Sequence, residues 1–458
     1  MSARSLVPGP ATAAAIGSRR LPFAFAPRFF LLLAAGLILA VPAWVESRAI
    51  VALAAWNLAV VAIWIVDLRR IPAGPSLAVT RAWTTPLALG VPSRVGVEVH
   101  NHSGLPLRVD VIDDVPEALR RDLPNLAVEV GAGASLRREY DIAPAQRGDA
   151  KIGPLSLRVR SPWAIAERWL SAATEQTVRV FPDMPEARRQ SMFLLRSRQV
   201  ALEKRRARVV GLGRDFESLR DYQPGDEIRN ICWTVTARRA KLVTRVYQPE
   251  RSQAVWILVD GGRLLRARIG DRTKLDAMVN AALGLAEVAL AAGDRVGLLT
   301  YGRRMHARLA PGRGGPHLRA LVDALATVPA ERAEADHAGA AAAVLAMQKQ
   351  RALIVWLTEV AETAGVPDVI DSAGRLSPQH VVLFGVTRPL EMMAIAEAAP
   401  ATEEEMYRML AVQEMVERRE VLLKGLQQRG ALVVETDPGE ATAQLIDQYL
   451  GVKERNLI

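Results

Sequence analysis

Cysteine is almost absent from this chain of 458 residues. Cys232 stands alone, so no intrachain disulfide can form and a reducing compartment suits the protein. Aromatic residues make up only 5% against 50% hydrophobic residues in all, so the cores have to be built mainly from Ala, Val, Leu and Ile. Histidines are few and scattered: His306, His317, His337 and His380 do not cluster, and no Ser-His-Asp or Cys-His arrangement announces a nucleophilic site. The glycine-rich stretch Pro311-Gly-Arg-Gly-Gly-Pro316 lacks the Gly-Lys-Ser/Thr ending of a nucleotide-binding loop. It reads as a flexible connection opening a helix rather than as a phosphate cradle.

What the chain has in excess is positive charge, +10 overall. Over 1–70 seven arginines face Glu46 and Asp67, and over 186–251 sixteen Lys and Arg face eight acids. The remainder is slightly acidic. Basic charge beside apolar spans fits anionic lipid and membrane topology better than nucleic acid, so no nucleic-acid partner is expected. At this length two or three folded units are expected.

Phe29 to Val45 and Ala49 to Val66 carry no charge, and each run is long enough to cross a bilayer of about 30 Å as a helix. Glu46, Ser47 and Arg48 between them allow only a tight turn. Trp44 and Trp64 sit near the ends of the runs, where amphipathic rings favour the interface. Arg4, Arg19, Arg20 and Arg28 before the pair, with Arg69 and Arg70 after it, place both ends on the cytoplasmic side. A cleaved signal peptide is the rival reading of the first run, and two buried helices of a soluble protein the rival reading of both.

From Ser76 to Pro182 the pattern alternates, as in Arg94-Val-Gly-Val-Glu-Val-His100, Leu107-Arg-Val-Asp-Val-Ile112, Leu155-Ser-Leu-Arg-Val-Arg160 and Thr177-Val-Arg-Val-Phe181. Turn formers divide these runs, which predicts a β-sandwich of immunoglobulin-like character acting as spacer or platform. His100 and His102 share one strand face, a spacing metals can use, but with no third ligand nearby they read as turn-edge side chains. Asn101-His-Ser103 is a glycosylation sequon, without meaning on the cytoplasmic side. The basic stretch from Pro185 to Val210 has a helical pattern. It is either a solvated helix face or a contact for lipid headgroups or an acidic partner.

The densest motif follows. Gly213-Arg-Asp-Phe-Glu-Ser-Leu-Arg-Asp-Tyr-Gln-Pro-Gly-Asp226 continues into Arg229, Ile231, Trp233, Ala237 and Arg238. Pro224-Gly225 suits the centre of a type II turn, with Asp226 placed to bond local backbone. Glu217, Asp221 and Asp226 alternate with Arg220 and Arg229, so an ion-pair network can form. Tyr222 and Trp233 each supply a large apolar body with one polar handle. The segment resembles the signature of the membrane-anchored bacterial proteins known as the domain of unknown function 58 family. Gly211, Gly213, Phe216, Glu217, Leu219, Arg220, Tyr222, Pro224, Gly225, Asp226, Arg229, Ile231, Trp233, Ala237 and Arg238 match it, while Asp215, Cys232 and Thr236 depart. The resemblance implies a C-terminal half similar to a von Willebrand factor A domain and partnership with a MoxR-type AAA+ ATPase. The segment itself is either a stapled lead-in to the next domain or part of a partner-docking surface.

The C-terminal part alternates continuous apolar runs with helical ones. Strands are expected at Val255–Val259, Arg295–Thr300, Ala352–Leu357, Val381–Val386 and Ala431–Glu435, with helices over 273–292, 318–325, 403–428 and 439–450. That is a doubly wound, mostly parallel sheet, and its ligand edge is the carboxyl end of the strands. Asp260, Arg263, Thr358 and Glu359 fall there. A von Willebrand A domain carries Asp-x-Ser-x-Ser and a later acid at this edge, an oxygen cage for magnesium. Here Asp260-Gly-Gly-Arg263 keeps the first acid, loses both serines and adds an arginine, so Asp260 and Glu359 form a degenerate metal site at most. Arg263 stands in for the lost cation as a counter-charge to an acidic partner.

The expected architecture is therefore a basic cytoplasmic tail (1–28), a transmembrane helical hairpin (29–66), a β-sandwich-like domain (75–183), a basic helix with the signature (184–253) and a von Willebrand A-like α/β domain (254–458). The resemblance implies a non-enzymatic, cofactor-free adaptor at the bacterial inner membrane, working with a MoxR-type ATPase on an unknown client. The edge of Asp260, Arg263, Thr358 and Glu359 is where an acidic client or ATPase surface is expected to dock. A self-assembling structural component of the envelope or a secretion system is the alternative, in which the β-sandwich makes homo-oligomers. A hydrolase using Asp260 and Glu359 comes last, for want of a nucleophile or metal shell.

Overall fold

The computed structural model describes residues 7–13, 16–43, 47–72, 76–183, 215–223, 226, 228–248, 252–360, 366–437, 439–455 and 457–458. The basic stretch 185–210, Trp44, Glu46, Gly211, Gly213, Pro224 and Gly225 lie outside these residues. The chain divides into two compact units, Met1–Phe181 and Pro182–Ile458.

The first unit opens with strands β1 (Ala11–Ala13) and β2 (Ile16–Phe25), then helices α1 (Pro27–Ala43) and α2 (Ser47–Arg70). Ten strands follow: β3 (Leu77–Trp83), β4 (Leu87–Ala88), β5 (Ser93–Asn101), β6 (Leu107–Asp113), β7 (Asn125–Val130), β8 (Ser135–Ile142), β9 (Gly148–Ile152), β10 (Leu155–Arg160), β11 (Ala166–Ala172) and β12 (Gln176–Phe181). One antiparallel sheet runs β1-β3-β5-β8 and another β2-β11-β10-β6-β7, with a small third sheet β4-β12-β9. Burial alternates along β3, β6 and β10, the signature of strands with one face inward. Leu77, Val79, Val97 and Val99 of the first sheet meet Val109, Val111, Leu157 and Val159 of the second in one apolar core. The expected sandwich is present. At its centre the buried Arg81 guanidinium pairs with Asp113, which also accepts the Tyr140 hydroxyl at 2.6 Å, tying three strands together.

Two expectations change here. Residues 11–25, expected to be part of a basic tail, supply β1, paired with β3, and β2, paired with β11. Their partners lie far along the chain, so nothing local betrays the pairing, and the arginines read as topology signals instead. Among the described residues one helix is long and apolar enough to cross a membrane, Arg48–Arg70, with a mean hydropathy of 2.4 over its most apolar window; the apolar part of α1 is the shorter Pro27–Ile38.

The second unit begins with a hairpin of β13 (Asp215–Asp221) and β14 (Val243–Gln248), with a short helix α3 (Trp233–Arg239) between them. A six-stranded sheet follows, built from β15 (Ala254–Asp260), β18 (Arg295–Tyr301), β19 (Met305–Gly312), β20 (Leu353–Leu357), β21 (Val381–Thr387) and β22 (Leu432–Thr436), with a two-stranded ribbon β16 (Arg268–Ile269) and β17 (Arg272–Thr273) after β15. The helices are α4 (Lys274–Ala291), α5 (Gly314–Ala326), α6 (His337–Met347), α7 (Val366–Leu376), α8 (Leu390–Glu397), α9 (Glu403–Gln428) and α10 (Ala441–Glu454). The order is β19-β18-β15-β20-β21-β22, every pair parallel except β18 with β19. In order of appearance the strands read 3-2-1-4-5-6, the doubly wound arrangement. β15, β20 and β21 are buried at every residue because helices cover both faces. Thr273 and Asp276 form a capping box that starts α4, and Thr402 with Glu405 does the same for α9. The stretch 311–316, expected to be a flexible connection, is a strand end and a helix start separated by Arg313 alone. Sequence reading also missed β19, whose exposed residues hide its strand pattern, and the alanine-rich α6, which has no apolar stripe.

Candidate functional site

The carboxyl ends of β15, β20 and β21 bring Asp260, Thr358 and Glu359 to one edge, as the switch-point rule requires. Asp260 is only 3% exposed. Its Oδ2 accepts the Thr358 hydroxyl at 2.6 Å and its Oδ1 the Gly262 N–H at 2.6 Å. The glycines after Asp260 have a steric reason. A Cβ on Gly261 would meet the Pro329 carbonyl oxygen at 2.6 Å, and one on Gly262 would lie 3.1 Å from the Ala335 Cβ. That close approach seats the 328–336 loop over the strand end, with Glu331 N–H bonded to the Gly261 carbonyl at 2.7 Å and Arg263 N–H to the Ala333 carbonyl at 2.9 Å. Burial pushes the Asp260 carboxyl above the usual carboxylate range, against the opposing pull of His337, Thr358 and the Gly262 amide.

Glu359 is also buried, and its neighbours are cations. Its Oε2 accepts Lys274 Nζ at 2.7 Å and the Thr387 hydroxyl, while Arg419 Nη2 stands 3.6 Å from Oε1. Arg419 further binds Glu435 at 2.8 Å and the Thr387 carbonyl at 2.8 Å. Arg263 does not enter this cluster: its guanidinium pairs with Glu334 at 3.0 Å and is 45% exposed. Sequence reading therefore found the acids and missed the counter-charges of Glu359, Lys274 and Arg419, which lie far away along the chain. These residues do not fit a magnesium site. One carboxylate is held by a hydroxyl and an amide under a loop, and the other already has two cations.

A second group that sequence reading missed lies beside Asp260. Trp356 Nε1–H donates to the Tyr301 hydroxyl at 2.6 Å, and that hydroxyl lies 3.0 Å from His337 Nδ1. A Tyr301 hydroxyl that donates its own proton here meets an unprotonated His337 Nδ1, the state of the neutral ring. Burial agrees, holding the His337 pKa below its ordinary value although Asp260, Asp368, Asp336 and Glu334 pull it up. The hydroxyl of fully buried Tyr301 is pushed well up.

The signature segment is arranged in the opposite sense. Arg220 donates to Asp226 Oδ1 at 2.7 Å and Gln223 N–H to Asp226 Oδ2 at 3.0 Å. The Gln223 amide first, then Arg220, holds the Asp226 carboxyl below the usual range. This is the local bonding expected of Asp226. Glu217 lies in β13 and Arg229 in a single 3-10 turn, Ile228–Asn230. Tyr222 N–H bonds the Leu242 carbonyl at 2.9 Å. Cys232 is buried, and its sulfur accepts from Arg245 at 3.5 Å, the first of the contacts that lower its pKa. Outside it, α3 buries none of its residues. Trp233 is 62% exposed and Ile228 70%, and Leu242, Arg238, Arg239 and Lys241 are exposed as well.

The remaining histidine pair is a turn feature. The rings of His100 and His102 sit edge to face at 4.2 Å, and no group of three or more metal-ligating side chains occurs among the described residues. Asn101 between them is fully buried and its amide donates to the carbonyls of Leu105 and Gly131, so it holds the turn.

Comparison with known proteins finds a family model within the second unit. Residues 218–399 match the model described as "Protein of unknown function DUF58". It is 29% identical over 121 residues to uncharacterized proteins Mb1516 of Mycobacterium bovis and Rv1480 of Mycobacterium tuberculosis, covering 26% of this chain and 38% of each of them. It is 25% identical over 133 residues to uncharacterized protein YeaD of Bacillus subtilis, covering 28% of this chain and 31% of YeaD. Among solved structures, conserved hypothetical protein BatB from Bacteroides thetaiotaomicron aligns with 44% of this chain and 99% of its own, at a TM-score of 0.29 and 12% identity. Proximal thread matrix protein 1 of the mussel byssus aligns with 42% of this chain and 46% of its own, at 0.26 and 11%.

Proposed function

Starting from the DUF58 match over residues 218–399, we propose that this protein is a membrane-tethered, non-enzymatic adaptor. Its signature element docks a MoxR-type AAA+ ATPase or the client on which that ATPase works. The observation that carries this reading is the exposure, within one short element, of Trp233, Ile228, Leu242, Arg238, Arg239 and Lys241. Isolated apolar side chains on a surface are ordinary, but an element that exposes a tryptophan, two aliphatics and three cations has the composition of an interaction surface. The strand-end acids have the opposite character, being enclosed and bonded within the fold, which speaks against chemistry there. The doubly wound order of the sheet, with Asp260 after its first strand and Glu359 after its fourth, supports a von Willebrand A-like domain that has given up its metal.

Strand pairing supports a two-pass anchor. β1 and β2 precede the helices, and β3 and β11 follow them in the same two sheets. Both ends of the helix pair therefore lie on one side of the bilayer, so a crossing by α2 needs a return by α1. At 1.5 Å per residue α2 spans about 36 Å and α1 about 25 Å, the latter at the short limit for a crossing. The flanking arginines favour the cytoplasmic side of a bacterial inner membrane for those ends.

The test is co-purification of the full-length protein in mild detergent, with every captured protein identified by mass spectrometry. A AAA+ ATPase retained by the wild type, and lost from both Trp233→Ala and the Arg238→Glu/Arg239→Glu variant, supports the adaptor. Recovery of this chain alone, as a stable homo-oligomer, replaces it with the self-assembling structural role.

A further inference from the structure

The first unit carries aromatic and basic side chains where its helices meet the β sandwich. In the last turn of α2 the fully buried Asp67 accepts, through Oδ2, the Ser161 hydroxyl and the backbone N–H groups of Ile165 at 3.2 Å and Ala166 at 3.1 Å. Ala26 N–H donates to the Ile165 carbonyl at 3.0 Å, so the start of α1 is tied to the same loop. Phe25 stacks on Phe29 at 4.4 Å and lies 4.7 Å from Trp64, with Phe23 5.5 Å from Trp64. The Arg70 guanidinium sits 4.0 Å over the Trp163 ring, and Arg28 donates to the Trp163 carbonyl at 3.0 Å. Phe23, Phe25 and Trp163 still stand 41%, 42% and 40% exposed.

These three rings belong to a β strand and a loop, not to a helix, and they lie at the level of the arginines that flank the apolar helices. Amphipathic rings beside arginines are the chemistry of a headgroup layer carrying negative charge. The surface is continuous with the lipid-facing side of α2, where Ile63, Ile65 and Val66 are also exposed. We propose that the end of β2 and the Ser161–Ile165 loop are seated in the headgroup layer of an anionic bilayer. The β sandwich is then held against the membrane by Asp67 at a fixed angle. The same clamp opposes a domain swinging on a linker, because Asp67 joins helix and sandwich directly through three hydrogen bonds.

This inference rests on the membrane anchoring proposed above, and the experiment separates the two. The full-length protein is reconstituted into phosphatidylcholine bilayers containing phosphatidylglycerol, with bromine placed on the lipids either near the headgroup or near the bilayer centre. Tryptophan fluorescence is compared for the wild type, Trp163→Phe and Trp56→Phe. The expected result is loss of a shallow-quenched component in Trp163→Phe and of a deep-quenched component in Trp56→Phe. Shallow quenching unchanged by Trp163→Phe, with the deep component still responding to Trp56→Phe, overturns the seating and leaves the anchor standing. No response to either substitution overturns both.

Discussion

The strand-end edge and the signature element make an instructive pair within the second unit. Asp260 and Glu359 have the residue types of a reactive site, yet each is buried, Asp260 bonded to a hydroxyl and an amide and Glu359 paired with two cations. The signature has the look of a structural staple, yet its tryptophan stands out in solvent. Burial, not residue type, separates them. A buried acid with good partners holds a domain together. An exposed aromatic among cations contributes little to the fold and is available to another molecule.

The comparison breaks most visibly at Glu359. Glu359→Ala leaves Lys274 and Arg419 without their shared partner in a buried setting, and about 3–5 kcal/mol of stability is expected to be lost. Denaturant unfolding of the full-length protein in detergent measures this. Gly261→Ala forces a Cβ against the Pro329 carbonyl, and the strain or loop displacement is expected to cost about 1–3 kcal/mol by the same measurement. If Gly261→Ala proves neutral, the loop does not close the edge as described.

A third way to sharpen the contrast uses pH. The folded pKa of His337 lies below its ordinary 6.5, so the unfolded chain binds the proton more readily. Its contribution is present above that value and is lost as pH falls through the lowered folded pKa, with a slope no steeper than about 1.4 kcal/mol per pH unit. His337→Gln is expected to flatten that acid limb in a series of melts below pH 6.5. Asp260, raised rather than lowered, acts with the opposite sign: its contribution is present at low pH and fades as pH rises through its folded value. The smallest expected effect on folding is at the signature. Trp233→Ala is expected to change stability by no more than about 0.5 kcal/mol. Arg238→Glu with Arg239→Glu is expected to weaken partner binding in a salt-dependent way while leaving the melt alone.

Much of the second unit was legible because its signals are local. The apolar runs of β15, β20 and β21 and the Thr402 start of α9 can be read without knowing what they touch. So could the alternation of β6 and β10. What stayed hidden depends on distant pairings. β2 joins β11 across the helix pair, Glu359 finds Lys274 and Arg419 from separate helices, and Tyr301, Trp356 and His337 come from three elements. Exposure was equally hidden. No periodicity in Trp233-Thr-Val-Thr-Ala-Arg238 says that the tryptophan faces outward, and its family signature alone favours neither packing nor docking.

The most direct test measures stability and capture side by side for Glu359→Ala and Trp233→Ala in the full-length protein. The account predicts that Trp233→Ala keeps the wild-type melt and loses the AAA+ ATPase, whereas Glu359→Ala lowers the melt and retains the ATPase at temperatures where it is still folded. A Trp233→Ala protein that melts early, or a folded Glu359→Ala protein that has lost its partner, would contradict it and return the interaction to the strand-end edge.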